Sequence, residues 1–399
     1  LRSQQELLRQ LLIDHDRFCH GLPDALEEYI LNTYRIDLSS TYGGHKIRNP
    51  FGKASGQLSL NHQQVQHDVD AGLGFVVLKT VIAEGETGEQ SMKAWAIPAS
   101  RMKVERIEAR RPDASEKEGW TVTWKGRGWS GSLQEYLDFF DRVIVAASKR
   151  DVLIVPSCNY HLLQEGESLW QASEYAFTTR KLLNVWFRHR NDPMPIEKDF
   201  SPTLAGDAHF SSIEVTIQNW IREVPQLIRN HVGRENLSVG LKIFNAQFDD
   251  DFQIEMLREC DEGEDPADYL IYGNRLFDPN KEFEGKTGVA YGGPDLSARN
   301  LSVLSQYRPR LPFSATGDIL TGKQAFEYLK RGATSFQMHT LFQLPDGAFA
   351  MTAGTRSARA LHRLLFHPEH GFIRAILSLD DLSPEKEHSI PSLIGHFMD

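Results

Sequence analysis

The chain has 399 residues, 40% of them hydrophobic, and its 44 Lys+Arg against 54 Asp+Glu give a formal net charge of -10 at pH 7. That length suits one large decorated barrel or two ordinary domains. The acidic balance argues against non-specific binding to nucleic acid or an anionic membrane, and for a small-molecule partner.

Cys19, Cys158 and Cys260 are too scattered to build a zinc or iron–sulfur site, so no metal is expected. No apolar run approaches the roughly 18 residues of a spanning helix. Together these predict a cytoplasmic protein in a reducing compartment, although a chain beginning at Leu1 leaves open a removed targeting segment.

In chain order, residues 1–40 predict two short helices that would cap a barrel floor or help a homodimer form. The stretch LLRQLLIDHDRF lacks the basic flanks of a membrane-surface helix. Eight strands are then predicted: Phe51–Ser55, Gly74–Thr80, Val152–Ser157, Pro195–Ser201, Val239–Phe244, Tyr269–Asn274, Leu311–Gly317 and Ser335–Thr340. Helical patterns lie between them at Ser132–Lys149, Ser168–His189, Ser212–Val232, Asp249–Cys260 and Thr321–Arg331. Arg101–Lys125 reads as an inserted hairpin, with VERIE and WTVTW around the polar turn PDASEKEG. The alternation predicts an α/β chain with a (β/α)8 TIM barrel over 41–375, an N-terminal helical extension and a tail over 376–399 whose role is unreadable.

In such barrels functional groups sit at the C-terminal ends of strands. The first end offers Ala54, Ser55 and Gly56, small enough for a flat ring to approach; the second offers Lys79 and Thr80. The third offers Ser157, Cys158, Asn159, Tyr160 and His161. Glu197, Lys198 and Asp199 crowd the fourth, where they either face a polar cavity or sit in solvent beyond a shorter strand. Lys242 and Asn274 follow on the fifth and sixth. Lysines in apolar strands are costly unless they meet an anion or a polarised acceptor. The segment LPFSATGDILTGKQAFEYLKRGATSFQMHT sets two turns side by side, Gly317-Asp318 and His339-Thr340, as a paired phosphate-binding site. Asp318 is an odd neighbour for an anion. It would have to turn away and cap the helix behind it, or be offset by a protonated His339.

NPFGKASG at 49–56, GFVVLKT at 74–80, VGLKI at 239–243, YGGPDL at 291–296 and TGDILTGKQAFEYLKRGATSFQMHT at 316–340 resemble the dihydroorotate dehydrogenase family. The likeness runs over about 38–375, is nearer the soluble class 1 enzymes, and extends to the FMN barrel domain of dihydropyrimidine dehydrogenase. It implies FMN in a (β/α)8 barrel and hydride transfer between a substrate carbon and flavin N5.

By that resemblance Ala54, Ser55, Gly56, Lys79, Thr80, Asn159, Lys242, Asn274, Gly292 and Gly293 would line the flavin, and Gly317, Asp318, His339 and Thr340 would hold its phosphate. Ser201, directly before a proline, would be the proton-transfer residue, with Cys158 and His161 as rivals. Where the family reads orotate through asparagines, this chain has Ser91, Lys198 and Thr203, and keeps only Asn274. Changed polar contacts imply a changed substrate. The leading expectation is therefore an FMN-dependent oxidoreductase acting on a small, anionic, non-orotate substrate, with an unknown electron acceptor. The alternatives are a true dihydroorotate or dihydropyrimidine dehydrogenase, and a non-catalytic barrel that has lost turnover.

Overall fold

The structure, a computed structural model, describes residues 3–96, 102–124, 128–164, 166–200, 210–245, 249–380 and 382–398. It opens with α1 (Gln4–Arg17), started by a reciprocal capping box between Ser3 and Glu6, and α2 (Leu26–Tyr34). Three short strands follow, β1 (Ile36–Asp37), β2 (Ser40–Tyr42) and β3 (His45–Ile47), the last two forming an antiparallel hairpin.

Strand–helix alternation begins with β4 (Phe51–Lys53), α3 (His62–Ala71), β5 (Phe75–Val77) and its continuation β6 (Val81–Ile82). The inserted hairpin is β7 (Met102–Glu108) and β8 (Glu118–Trp124). Next come α4 (Leu133–Ser148), β9 (Leu153–Val155), β10 (Ser157–Asn159), α5 (Ala172–Trp186), β11 (Met194–Asp199) and α6 (Phe210–Arg229). They are followed by β12 (Leu237–Phe244), α7 (Asp250–Glu262) and β13 (Tyr269–Asn274). A second hairpin, β14 (Leu276–Phe283) and β15 (Lys286–Tyr291), precedes α8 (Pro294–Gln306). The chain ends with β16 (Phe313–Thr316), α9 (Gly322–Leu329), β17 (Ser335–Met338), α10 (Arg356–Phe366), α11 (Phe372–Leu377), β18 (His388–Ser389) and α12 (Ile390–His396).

Each of the eight expected strands supplies part of one ten-segment parallel sheet, ordered β6-β10-β11-β12-β13-β16-β17-β4-β5-β9. The ends of that order belong together in sequence, because β5 pairs with β9 while their continuations β6 and β10 pair with each other. The result is a curled parallel α/β sheet compatible with a TIM-like barrel. Its strands are buried on both faces, as in the eight consecutive buried residues of β12, so they read as apolar runs rather than alternations. Among the described residues no helix is long and apolar enough to cross a membrane.

Three results go beyond the sequence reading. Glu197 and Lys198 are fully buried within β11, so the solvent alternative for those charges falls. The β14–β15 hairpin was not expected. The tail is tied to the extension, since β18 pairs in parallel with β1 and Gln4 donates to the carbonyl of Leu377.

Burying Glu197 demands partners. Its carboxylate accepts from Tyr42 Oη at 3.0 Å and Gln337 Nε2 at 2.6 Å, and Lys242 Nζ stands 3.4 Å away. Lys242 also donates to Gln337 Oε1 at 3.2 Å, and Gln337 Nε2 to Tyr42 Oη at 2.7 Å. Glu197→Ala would strand the Lys242 ammonium, so a loss of about 3–5 kcal/mol in unfolding free energy is expected. Urea unfolding followed by circular dichroism measures it, and Glu197→Gln, which keeps the acceptor, should lose clearly less.

Candidate functional site

The C-terminal ends of the strands gather most of the expected residues. Ser55 Oγ and Thr80 Oγ1 lie 2.9 Å apart, and Thr80 Oγ1 and Ser157 Oγ 3.0 Å apart, so hydroxyls link three neighbouring strand ends. Gly56 is required by close approach, because a Cβ there would lie 2.7 Å from the His339 ring.

Lys79, Lys198 and Lys242 are all buried here. Burial pulls Lys79 down to about 8, with Asp199 opposing the shift and Lys242 adding to it. Burial likewise pulls Lys198 to about 8, opposed by Asp199 and then Cys158. Lys198 Nζ donates to Asn159 Oδ1 at 2.8 Å and to the Asp199 carbonyl at 3.1 Å. Asp199 is the register partner of Lys242, and its Oδ1 is buried without a hydrogen-bond partner. A carboxylate oxygen left open beside lysines is a built acceptor, and the sequence reading named Asp199 only as one of three charges crowding this strand end.

At the sixth strand end, Asn274 Oδ1 accepts from the Arg275 N–H at 3.1 Å, and the Asn274 carbonyl accepts from the Asn245 N–H at 2.8 Å. Desolvation draws the Arg275 guanidinium down to about 10, and it donates to the Val122 carbonyl in the first hairpin. Gly292 donates its N–H to Thr121 Oγ1 at 3.0 Å, and Gly293, the N-cap of α8, sits against Ile107. The first hairpin therefore packs against this end of the site. Arg275 was also missed; its only signal is its place beside Asn274.

The paired turns differ from expectation in charge. Gly317 (φ 108°) leaves no room for a side chain, since a Cβ would meet Asn300 Nδ2 at 2.8 Å and the Gly273 carbonyl at 2.9 Å. Asp318 (φ 55°) does not cap α9, a role taken by Thr321. Its Oδ2 accepts from Ser297 Oγ at 2.8 Å and Gln324 Nε2 at 3.4 Å, while Oδ1 is buried without a partner. Burial raises its carboxyl to about 7 against the Ser297 hydrogen bond. The second way to offset Asp318, a protonated His339, is closed as well. Burial first, then Arg275, Lys53, Lys79 and Lys242, holds it down at about 3 and so neutral. Thr340 opens a short 3-10 turn over Thr340–Gln343.

The remaining candidates are placed as follows. Ser91 gives its N–H and hydroxyl to Glu174, at 2.5 and 2.8 Å, so its polar groups are engaged within the protein. Cys158 is buried, and desolvation pushes its thiol far above the ordinary range, against the ease of ionisation that an acid–base role requires. His161 is buried too, with Nδ1 accepting from the Gln171 N–H at 3.2 Å and Nε2 3.1 Å from Glu167 Oε2. Ser201 and Thr203 lie outside the described residues.

No protein-family profile matches this sequence, and no curated protein matches it.

Asp318 yields a pH prediction with a definite sign. Its folded value of about 7 exceeds the ordinary 3.8, so its contribution to stability is fully present below about pH 4 and lost as pH rises through 7. Asp318→Asn preserves the shape, and asparagine tolerates the left-handed backbone. It should raise the melting temperature at pH 8 and leave it nearly unchanged at pH 4, as read by differential scanning fluorimetry.

Proposed function

We propose that the curled sheet closes as a (β/α)8 barrel, binds FMN at the C-terminal strand ends, and serves an oxidoreductase similar to the dihydroorotate dehydrogenase family. Closure is supported by the pairing of β5 with β9 and of β6 with β10 at the two ends of the strand order. The observation that carries the functional reading is the trio of buried lysines, Lys79, Lys198 and Lys242: Asp199 acts electrostatically on the first two and is the register partner of the third.

The residues fit the ring end of FMN. Ala54, Ser55, Gly56 and Thr80 offer small and hydroxyl groups, and Lys79 and Lys242 offer cations for the electron-rich edge. Gly317, His339, Thr340 and Arg275 suit a phosphate, whereas Asp318 suits one only in its protonated form. When bound, FMN supplies an acceptor for hydride. The lysines would stabilise the negative charge that accumulates, in a site desolvated enough for that attraction to be strong. Ser201 is the proposed proton-transfer residue, and the open Asp199 oxygen two positions earlier is a nearby acceptor in the chain. Lys198 stands where an asparagine would read a pyrimidine. An ammonium only donates, so an anionic substrate suits it better than a ring edge that both donates and accepts.

The colour and flavin content of the purified protein test the cofactor reading, and FMN titration measures its affinity. Lys79→Met is expected to slow flavin reduction by about 10²-fold while changing FMN affinity less. Lys242→Met should show the same slowing together with lowered stability, because Glu197 loses its cation. Ser201→Ala should cut turnover by about 10²–10⁴-fold with an unchanged flavin spectrum. Orotate-dependent bleaching or reoxidation would instead assign a pyrimidine substrate. The neutral His339 and the carboxyl of Asp318 favour one other reading, a barrel that has lost FMN. A folded protein that takes up no flavin from excess FMN decides for that one.

A further inference from the structure

Glu197 points into the interior network, so strand alternation sends the Lys198 side chain off the opposite face of β11. The register with β10 agrees, since Ser157 is the partner of Glu197 and Cys158 the partner of Lys198. Asn159, two positions beyond Ser157, returns to the inner face, where the Ser157 hydroxyl already meets that of Thr80 and, through it, that of Ser55. Lys198 therefore starts behind the site, and Asn159 stands within it.

Their contact fixes an orientation. Lys198 is fully buried, and its Nζ donates to Asn159 Oδ1 at 2.8 Å and to the Asp199 carbonyl at 3.1 Å. An ammonium has no lone pair, so the amide atom that faces it must be the carbonyl oxygen. The oxygen and nitrogen of an asparagine are thereby told apart, and the NH2 is turned away from Lys198. Among the described residues no group accepts from that NH2, and it is not one of the buried polar atoms that lack a partner, so water reaches it. It is an accessible donor on the inner face. The charged and titratable groups around Lys198 are Asp199 on its own strand and Cys158 on β10, whose thiol burial keeps protonated, and the Phe200 ring lies 5.2 Å from Nζ. Asp199 also acts on Lys79, so one carboxylate serves two ammoniums and the corner stays positive.

We infer that Lys198 is a positioning residue: from behind the site it locks the Asn159 amide with its NH2 toward the substrate, and Asn159 is the group that reads a substrate carboxylate. The inference rests on the reading of the strand ends as a ligand site, and it moves the substrate contact from the ammonium to the amide. A ligand that offers an N–H at this position is excluded, because two donors would meet there. The amide cannot turn to accept that N–H without setting its own NH2 against the Lys198 ammonium.

The test follows the Asn159 NH2 by NMR in protein labelled with 15N-asparagine, its signal assigned by its loss in Asn159→Asp. Benzoate and its neutral isostere benzamide are the probes, titrated into flavin-free protein and into protein saturated with FMN. Benzoate should bind at least about tenfold tighter than benzamide and should shift the NH2 resonances. Lys198→Met keeps the buried stem but frees the amide to turn, and should cut that preference by about tenfold. Asn159→Asp still satisfies Lys198 but sets a carboxylate against the probe, and should reverse the preference. In the unliganded protein the NH2 resonances should move as pH rises through about 8, where Lys198 becomes an amine that can accept as well as donate, and this movement should be lost in Lys198→Met. Equal affinity for the two probes, no binding of benzoate, or benzoate binding that leaves the NH2 unmoved would overturn the inference, as would a preference kept in both variants. The titrations of the unsubstituted protein decide even where a variant does not fold. If FMN moves the NH2 and benzoate does not, the amide reads the flavin, and this assignment falls while the cofactor reading stands. If no flavin is taken up but benzoate still moves the NH2, the cofactor reading falls and this one stands.

Discussion

The sheet interior depends on one buried ion pair. Glu197 and Lys242 sit on adjacent strands, both almost wholly removed from water, and neither could be held there without the other. Removing two charges from water costs several kcal/mol each, and their attraction offsets this only when the leftover hydrogen-bonding capacity is filled. Tyr42 and Gln337 fill it. Tyr42 comes from the β2–β3 hairpin and Gln337 from β17, so the network joins that hairpin, the middle of the sheet and the last strand of the main sheet. A polar cluster of this kind specifies which strands must meet more sharply than apolar packing does, because an alternative register would leave charges unpaired.

The same strand carries the constraint towards the candidate site. Strand alternation puts Asp199 on the face of Glu197, two residues nearer the C-terminal end, and Lys242 is its register partner. Lys242 therefore pairs with the lower carboxylate, which Tyr42 and Gln337 saturate, while the upper one, its register partner, keeps one oxygen open. Lys79 and Lys198 both feel that upper carboxylate. The polarity of the site thus grows out of the interior network rather than being added to a finished apolar barrel.

Sequence alone revealed the elements better than the charges. The eight strands were legible because runs such as GFVVLKT and VGLKIF are apolar, short and followed by turn residues. The capped helices were legible for the same local reasons, as Ser132 with Glu135 shows. The β14–β15 hairpin was not, because LFDPNKEFEGKTGVAY contains a proline and a dense run of charges that break the apolar alternation of a strand. Glu197 was ambiguous for a different reason. Its partners Tyr42 and Gln337 are far away in sequence, and no local pattern says that they converge. His339 was placed at a turn beside the site, but its charge was not legible, since its protonation is set by burial and by cations from four separate positions. Ser91 was noticed as a polar group, yet its engagement by Glu174 follows only from how α5 packs.

Charge then distinguishes the two ends of the candidate site. Near Lys79, Lys198 and Lys242, positive charge exceeds the one open carboxylate, so a ligand group that accumulates negative charge is favoured there. Around Gly317 the balance is closer. Arg275 attracts an anion, His339 is neutral, and Asp318 repels one whenever it is ionised. With its carboxyl raised to about 7, Asp318 is divided between neutral and charged forms at physiological pH, and an anion arriving beside it would favour the neutral form further. An anion bound at this turn would therefore be coupled to proton uptake, whatever the anion, through a single aspartate held in a left-handed turn by Ser297 and Gln324.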